Sequence, residues 1–433
     1  MRVIALLLTA AALAGAEKIS TEQLIRMAQL HSPDLERAIR ETFTMQAPAA
    51  GATPAAIAAS KIDRLATGGA YAGEHGQFLF AIETDKPQPL LQVNQMRPEP
   101  ATRVGKLWVY QGPLNQGTSY KFTWIIDGKP FGGANDVAAF TEESYPQPGV
   151  PQGKQSGPFM IESKLYPGLK ARMWYYVPAQ WDGRTPLPVQ FWGDGQFYTA
   201  TRPDAYRLLD TFDNLFASKR IPLMANVFVE PGTAPERNIR SIEYDTVSDK
   251  FGHYLIEEVF PEVEKHIPLR HNAYSRAVVG ESSGGIAAFN AAYRMPDQFS
   301  RVLSWIGSFA ALQTSPEQPT GGAAYPVIVR RDQTRKNIRV WLQDGAEDQE
   351  NPRAGSWPLA NIELANSLKI KGYDYHFSLG VGTHSQRQGS AELPQSLVWL
   401  WRDYDPAKTS QEFTPEPEEQ DKPLWRIVQM TRD

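Results

Sequence analysis

Gly280-Glu281-Ser282-Ser283-Gly284 spaces a serine between glycines as G-x-S-x-G, directly after the apolar run Arg276–Val279 and directly before a helix-like Gly285–Arg294. A strand-to-helix turn this tight forces its central residue into strained backbone, and the flanking glycines let the chain pass closely. The Ser282 hydroxyl would then sit at a helix N-terminus, where free N–H groups and the dipole favour a developing negative charge. That is the setting of an activated serine nucleophile. The competing reading is a glycine-rich connection with an incidental serine. Ser283 is the second candidate, displaced from the centre of the motif.

A serine hydroxyl needs a base, and the chain holds seven histidines. His31 and His75 lie in or near the N-terminal segments, and His266 and His271 flank Pro268 close to a helix end. His253 falls on a helix and His376 inside a strand, where a packed ring is the default. His384 differs. It follows the last strand in Gly380-Val381-Gly382-Thr383-His384-Ser385, a loop at the edge of a sheet where sites of open α/β sheets gather. An acid to orient it should lie between serine and histidine in the chain. IRVWLQDGAEDQEN offers Asp344, Glu347, Asp348 and Glu350 there. Asp344 ends a strand and is open to consumption in the turn with Gly345, whereas Asp348 lies out in the loop and is the preferred acid. Two N–H donors for an oxyanion are expected from Ser283 and from the loop Gly193-Asp194-Gly195-Gln196, with Gln196 preferred over Gly195.

The elements around these residues alternate. ARMWYYVP (171–178), PLPVQFWGDG (186–195), LMANVFVEPG, SRAVVG, RVLSWIGS, IRVWLQDG (338–345) and YDYHFSLGVG (373–382) read as strands. Helical patterns separate them at DAYRLLDTFDNLFAS (204–218), KFGHYLIEEVFPEVEKHI, SGGIAAFNAAYRMP and WPLANIELANSLKIKG. This rhythm predicts a mostly parallel sheet with helices on both faces. Upstream, Gly76 to about Tyr145 breaks into short alternating runs, and Asp127-Gly128 between two of them signals a hairpin; the expectation is a small β-sandwich. Before that, residues 18–46 read as one or two short helices with Thr21 as an N-cap, and Ala47–Ala59 as a linker. The stretch SYPQPGVPQGKQSGP, with Pro146, Pro148, Pro151 and Pro158, reads as the boundary between sandwich and sheet. The segment after about Tyr404 reads as a mobile or surface-hugging tail.

The chain has 433 residues with 44 Lys and Arg against 48 Asp and Glu, so no basic field points to nucleic acid. It has no cysteine, which excludes disulfides and thiolate chemistry. No H-E-x-x-H or clustered-histidine pattern implies a metal, and no cofactor is expected. Met1-Arg2, apolar Val3–Leu13 and Ala14-Gly15-Ala16 before Glu17 have the form of an export signal cleaved after Ala16. A secreted or periplasmic protein, with no membrane attachment once the signal is removed, is therefore expected; the oligomeric state is left open. Eleven Trp, 17 Tyr and 19 Phe are a surplus, and Trp192, Phe197, Tyr198 and Trp357 are candidates for a binding surface.

The segments GDGQF (193–197), VEPG (229–232), RNIRSIEYDTVSDKF (237–251), GESSGGIAAFNAAYRMPDQFSRVLSWIGSF (280–309), VWLQDGAEDQENPRAGSWPLAN (340–361) and GYDYHFSLGVGTHS (372–385) resemble the enterochelin-esterase-like branch of the esterase D superfamily. Feruloyl and acetylxylan esterases of carbohydrate esterase family 1 are related to it. The resemblance covers about residues 100–405. It implies an α/β-hydrolase domain, placed at 158–405, preceded by an early-set or immunoglobulin-like sandwich, placed with its linker at 71–157; the residue patterns add helices and linker at 17–70 and a tail at 406–433. It places the nucleophile, acid and base on Ser282, Asp348 and His384, and an oxyanion amide on Gln196. Arg240 and Glu243 match a segment near the active-site rim and are candidates for substrate contact or for a structural ion pair. The implied activity is a serine carboxylic-ester hydrolase acting through an acyl-enzyme. Export and the aromatic surplus favour hydroxycinnamoyl or acetylated-carbohydrate esters, free or polysaccharide-linked. The alternatives are a siderophore esterase and a carbohydrate-binding protein with an inactive hydrolase domain.

Overall fold

A computed structural model describes residues 19–44, 63–199, 206–234 and 237–420. The expected export signal at 1–16 and the linker at 47–59 lie outside them. Two compact units emerge. One takes the described residues up to Leu114 together with Phe122–Ala134; the other takes Asn115–Lys121 and the described residues from Asn135.

The first unit opens with helices Thr21–Gln29 and Leu35–Phe43. Ser20, one residue before the expected cap, ends the first: its hydroxyl accepts the Gln23 amide at 3.1 Å while the Gln23 side chain accepts the Ser20 amide at 2.8 Å. This reciprocal pair satisfies two helix-terminal donors at once, which Thr21 cannot do from inside the turn. Leu24, Ile25, Leu35, Ile39 and Phe43 bury their side chains with Leu79, Ala81 and Val109. The strands form two four-stranded sheets, one running Ala70–Glu74, Gln77–Glu83, Leu107–Pro113, Thr102–Val104 and the other Glu99–Pro100, Leu90–Val93, Thr118–Ile126, Lys129–Ala139. Asp127 and Gly128 both take positive φ, 51° and 73°, as a two-residue hairpin turn requires.

The second unit is built on a ten-stranded sheet. Six strands run parallel in the order Ala225–Val229, Val189–Trp192, Arg276–Glu281, Arg301–Trp305, Arg339–Gly345, Asp374–Gly380. Lys170–Val177 adds antiparallel to the first of these, and Lys154–Glu162 adds antiparallel to Lys170–Val177. The expected boundary at 157/158 therefore falls inside a strand, because the proline-rich run gives way to a β-capable KQSGPFMIE three residues after Pro151. Neighbouring residues on each parallel strand feed opposite cores. Phe191, Val278, Val302 and Val340 pack on one face; Trp192, Val279, Leu303 and Trp341 pack on the other. This is the period-2 alternation of a sheet covered on both sides.

The expected helix after Asp249 is continuous but changes pitch, with a π turn at Leu255–Val259 between Lys250–Tyr254 and Phe260–Glu264. Pro261 lacks the N–H that an unbroken α-helix would need at that point. Beyond Tyr404 the chain hugs the fold. Phe413 is buried, its carbonyl accepts from Arg335, and its amide donates to Asn337.

Candidate active site

Ser282 sits between the strand Arg276–Glu281 and the helix Ser283–Arg294 with φ 54° and ψ −121°, a conformation costing a non-glycine residue about 1–3 kcal/mol. The elbow is tight because nothing larger than glycine fits at 280: a Cβ there would stand 2.2 Å from the Gly284 carbonyl oxygen. The neighbouring strand pins the strained residue, with the Ser282 amide donating to Trp305 O at 2.9 Å and the Ser308 amide to Ser282 O at 2.9 Å. Ser283 is buried, with its side chain toward Asp245.

His384 Nε2 lies 2.7 Å from Ser282 Oγ, and His384 Nδ1 lies 2.6 Å from Asp348 Oδ1. The loops carrying acid and base are stitched together, since the amides of Ala346 and Glu347 donate to the carbonyls of Gly380 and Gly382 at 2.8 and 3.0 Å. Asp136 braces the histidine loop from outside by accepting the Thr383 amide and hydroxyl. Of the other candidate acids, Glu347 pairs with Lys121 and Glu350 is exposed in the short strand Glu350–Asn351. Asp344 is buried and accepts its neighbour's Gly345 amide at 2.7 Å, as expected for a turn residue. Four of the other six histidines are engaged elsewhere: His376 stacks 3.9 Å from Trp341, His266 lies 4.1 Å from Phe159, and His253 and His271 bond Glu257 and Glu264.

Gln196 lies on the single turn Gly195–Phe197 that follows Val189–Trp192. A Cβ on Gly195 would stand 2.4 Å from the Val229 amide, so this loop can press against the next strand only with glycine there. Asp194 (φ 54°) lies against the start of the helix Ser283–Arg294, its Oδ2 3.2 Å from where Gly284 would carry a Cβ. The Gln196 loop and the Ser283 amide are thus next to each other. Arg240 holds the loop in place with a two-pronged ion pair, Nε to Asp194 Oδ1 and Nη2 to Asp194 Oδ2, both 2.7 Å.

The substrate-facing residues expected from sequence are largely elsewhere. Trp192 is fully buried, packs on Phe212 and Trp305, and donates its indole N–H to Asn226 at 3.0 Å. Strand alternation sends it to the core face. Tyr198 is likewise buried and donates to Glu281 Oε2 at 3.2 Å. Trp357 is 4% exposed; its N–H donates to Ser308 Oγ, which stands 3.2 Å from Ser282 Oγ, and its ring edge meets the His384 ring at 6.1 Å. Glu243 is buried too and accepts the Gly232 amide at 2.8 Å rather than pairing with Arg240. Phe197 alone of these is open, at 46%.

Several site residues escaped the sequence reading. Glu281 is 3% exposed beside Ser282 and bridges Tyr198, just after the Gly193–Gln196 loop, to Gln386 in the loop of His384. Burial, then the negative charge of Asp194, pushes its carboxyl up to about 8. Burial does the same to Glu243, also to about 8. Glu281 was visible only as the x of G-x-S-x-G. Asp194 lay in a named loop, but nothing in sequence pairs it with Arg240, 46 residues away; Ser308 and Asp136 carried no motif at all.

The family described as Putative esterase matches residues 167–400. The iron(III) enterobactin esterase of Dickeya dadantii is 21% identical over 260 residues, 56% of this chain and 54% of its own length. The chain thus spans about half the length of that curated relative. Among solved structures, the ferric enterobactin esterase of Salmonella typhimurium superposes with a TM-score of 0.52 at 15% identity, covering 78% of this chain and 98% of that one. A ferulic acid esterase from Anaeromyces mucronatus gives 0.44 at 17% identity over 60% and 94%. At 15% identity the Salmonella superposition speaks to fold alone. The family match spans more than half of the chain and contains Ser282, Asp348 and His384: this protein belongs to the esterase family, with the α/β fold of that family.

Proposed function

We propose that the chain is a serine carboxylic-ester hydrolase working through an acyl-enzyme, with Ser282 as nucleophile, His384 as base and Asp348 as the acid that orients it. The hydrogen-bonded series Asp348–His384–Ser282, at 2.6 and 2.7 Å, carries this reading. Nε2 takes the hydroxyl proton as Oγ attacks the ester carbonyl, and Nδ1–H bonded to Asp348 fixes the tautomer that makes this possible. The amides of Gln196 and Ser283 would receive the negative charge on the carbonyl oxygen. The imidazolium then returns the proton to the leaving alcohol, and water repeats the sequence on the acyl-enzyme. Ser282→Ala should lower turnover of an activated ester by several orders of magnitude, and a fluorophosphonate should label Ser282. Labelling of Ser283 with Ser282 intact, or undiminished turnover by the alanine variant, overturns the reading.

For substrate, two ester classes compete. The hydroxycinnamoyl or acetyl-carbohydrate reading draws on export, the net charge of −4 and four aromatic residues, and of those four only Phe197 is exposed. The siderophore reading draws on relatives whose names specify enterobactin. We favour an aryl-bearing ester with Phe197 against the ring, a contact worth roughly 0.5–1.5 kcal/mol beyond burial. Comparing kcat/KM on methyl ferulate, acetylated xylo-oligosaccharide and enterobactin, free and iron-loaded, ranks the classes. Faster turnover of enterobactin than of either other ester selects the siderophore reading. We further read the two four-stranded sheets as an early-set-type sandwich and residues 1–16 as an export signal. N-terminal sequencing of exported protein, starting at Glu17, tests the latter.

A further inference from the structure

Two carboxyls share the acid end of the site, and one of their four oxygens is unaccounted for. Asp348 Oδ1 accepts from His384 and from the Gln349 amide. Asp348 Oδ2 is buried and has no hydrogen-bond partner among the described residues. An ionised carboxylate oxygen left so would lose its hydration without replacement. Asp344 and Asp348 end one tight turn, closed by the Asp348 amide on Gly345 O at 3.1 Å, and their buried carboxyls interact there. Asp344 is itself 0% exposed, with Oδ1 accepting the Gly345 amide at 2.7 Å and Oδ2 accepting Asn361 Nδ2 at 2.8 Å. Neither of those donors reaches Asp348. Two carboxylates cannot meet in such a place without a proton between them, since like charges and burial both oppose the second ionisation.

We propose that Asp344 is a positioning residue of the catalytic site, a neutral carboxylic acid whose O–H donates to Asp348 Oδ2. The proposal rests on Asp348 being the acid that orients His384. The donated bond closes the last vacancy on Asp348, fixes the plane of its carboxyl and aims Oδ1 at His384. It also keeps this end of the series at one negative charge. Burial, and then the bond and charge of Asp348, drive the Asp344 carboxyl well above the carboxylate range, in the direction the proposal needs. Charged groups on the surrounding loops are engaged elsewhere: Glu347 with Lys121, and Asp136 with Thr383. Among the described residues, His384 is the basic partner in reach of Asp348, through Oδ1. Asn361, anchored to Gly307 O and Asp344, ties the acid pair to the segment that carries Ser308.

Three measurements on the full chain test this. In a wild-type-minus-Asp344→Asn infrared difference spectrum at neutral pH, a protonated-carboxyl C=O band should belong to Asp344; a carboxylate pair of bands instead overturns the proposal. The acid limb of kcat/KM should keep its midpoint in Asp344→Asn. An ionised Asp344 would have supported the imidazolium, so its removal would lower that midpoint by about one pH unit or more. Asp344→Leu, which keeps bulk but has no donor, should lower kcat about 10- to 100-fold with little change in KM, and Asp344→Asn should recover most of that loss. Equal kcat in the Leu and Asn variants refutes a donor role, because a merely structural defect would not separate them. The infrared result is independent of turnover, so a failed esterase reading and a failed Asp344 reading give different outcomes.

Discussion

Arg240→Met is the sharpest perturbation of the oxyanion loop. Asp194 has 2% of its side chain exposed and Arg240 has 28%, and both carboxylate oxygens are bonded to the guanidinium at 2.7 Å. Removing one partner of a buried pair leaves an uncompensated charge, which costs about 3–5 kcal/mol. Arg240 is partly solvated, so about 3 kcal/mol is the expected loss, read from urea midpoints of the second unit. The charge account makes a second demand. Asp194→Asn/Arg240→Met removes the stranded anion and should recover most of the stability. It should not recover rate. Asp194 also fixes where the Gly193–Gln196 loop lies against the nucleophile helix, and losing one oxyanion donor costs about 10²–10³ in kcat. Both variants should therefore show kcat lowered by about 10²-fold on an activated ester. A single variant within 1 kcal/mol of wild type refutes the buried-pair argument. A double variant with wild-type kcat refutes the link between this brace and the oxyanion loop.

Ionising Glu281 would put a second negative charge beside the oxyanion loop, so kcat/KM should fall as pH rises through about 8; Glu281→Gln should lift that alkaline limb, and an unchanged limb refutes its assignment. Glu392 is buried under Ser378 and Gln388, both bonded to its Oε1, and burial raises its carboxyl to about 7. A raised folded-state carboxyl stabilises below the unfolded value and loses that contribution as pH climbs to about 7. Glu392→Gln should thus be more stable than wild type at pH 8, by up to about 3 kcal/mol, with the gap closing near pH 4.5; a pH-independent difference refutes this. Trp192→Ala should cost about 3–5 kcal/mol and leave relative rates on aryl and aliphatic esters unchanged, because its ring is in the core; a changed preference with intact stability would return it to the pocket.

Motif and periodicity picked out the residues we propose to react because each obeys a local rule. G-x-S-x-G needs a strand before and a helix after, and both were visible around Ser282. His384 stood out by following a strand end. Asp348 was separable from Asp344 because a residue closing a strand spends its carboxyl on the turn, as the Gly345 amide on Asp344 Oδ1 bears out. The aromatic residues misled for a related reason. Composition counts rings but does not say which face of a strand each one takes, and alternation put Trp192 opposite Phe191. The edge strand Lys154–Glu162 was hidden by prolines and glycines, which an edge position tolerates. Arg240–Asp194 and Asp344–Asp348 were unreadable in another sense. Their meaning lies in burial and distance, and no spacing in the chain encodes either.

The charges of the site follow one economy. Asp194, Glu243 and Glu281 are buried near one another with Arg240 as the guanidinium bonded among them. One cation supports one anion. Arg240 spends both prongs on Asp194, and the two glutamates are held neutral to about pH 8. The same arithmetic recurs at the acid end, where His384 reaches only Asp348 and Asp344 is pushed toward its neutral form. In each cluster the carboxyl with a basic partner braces a part of the site, the Gly193–Gln196 loop or the imidazole. The neutral acids fill hydrogen bonds without adding field. A serine that must build negative charge on a carbonyl oxygen needs this arrangement, since every further anion nearby would raise the barrier it is meant to lower.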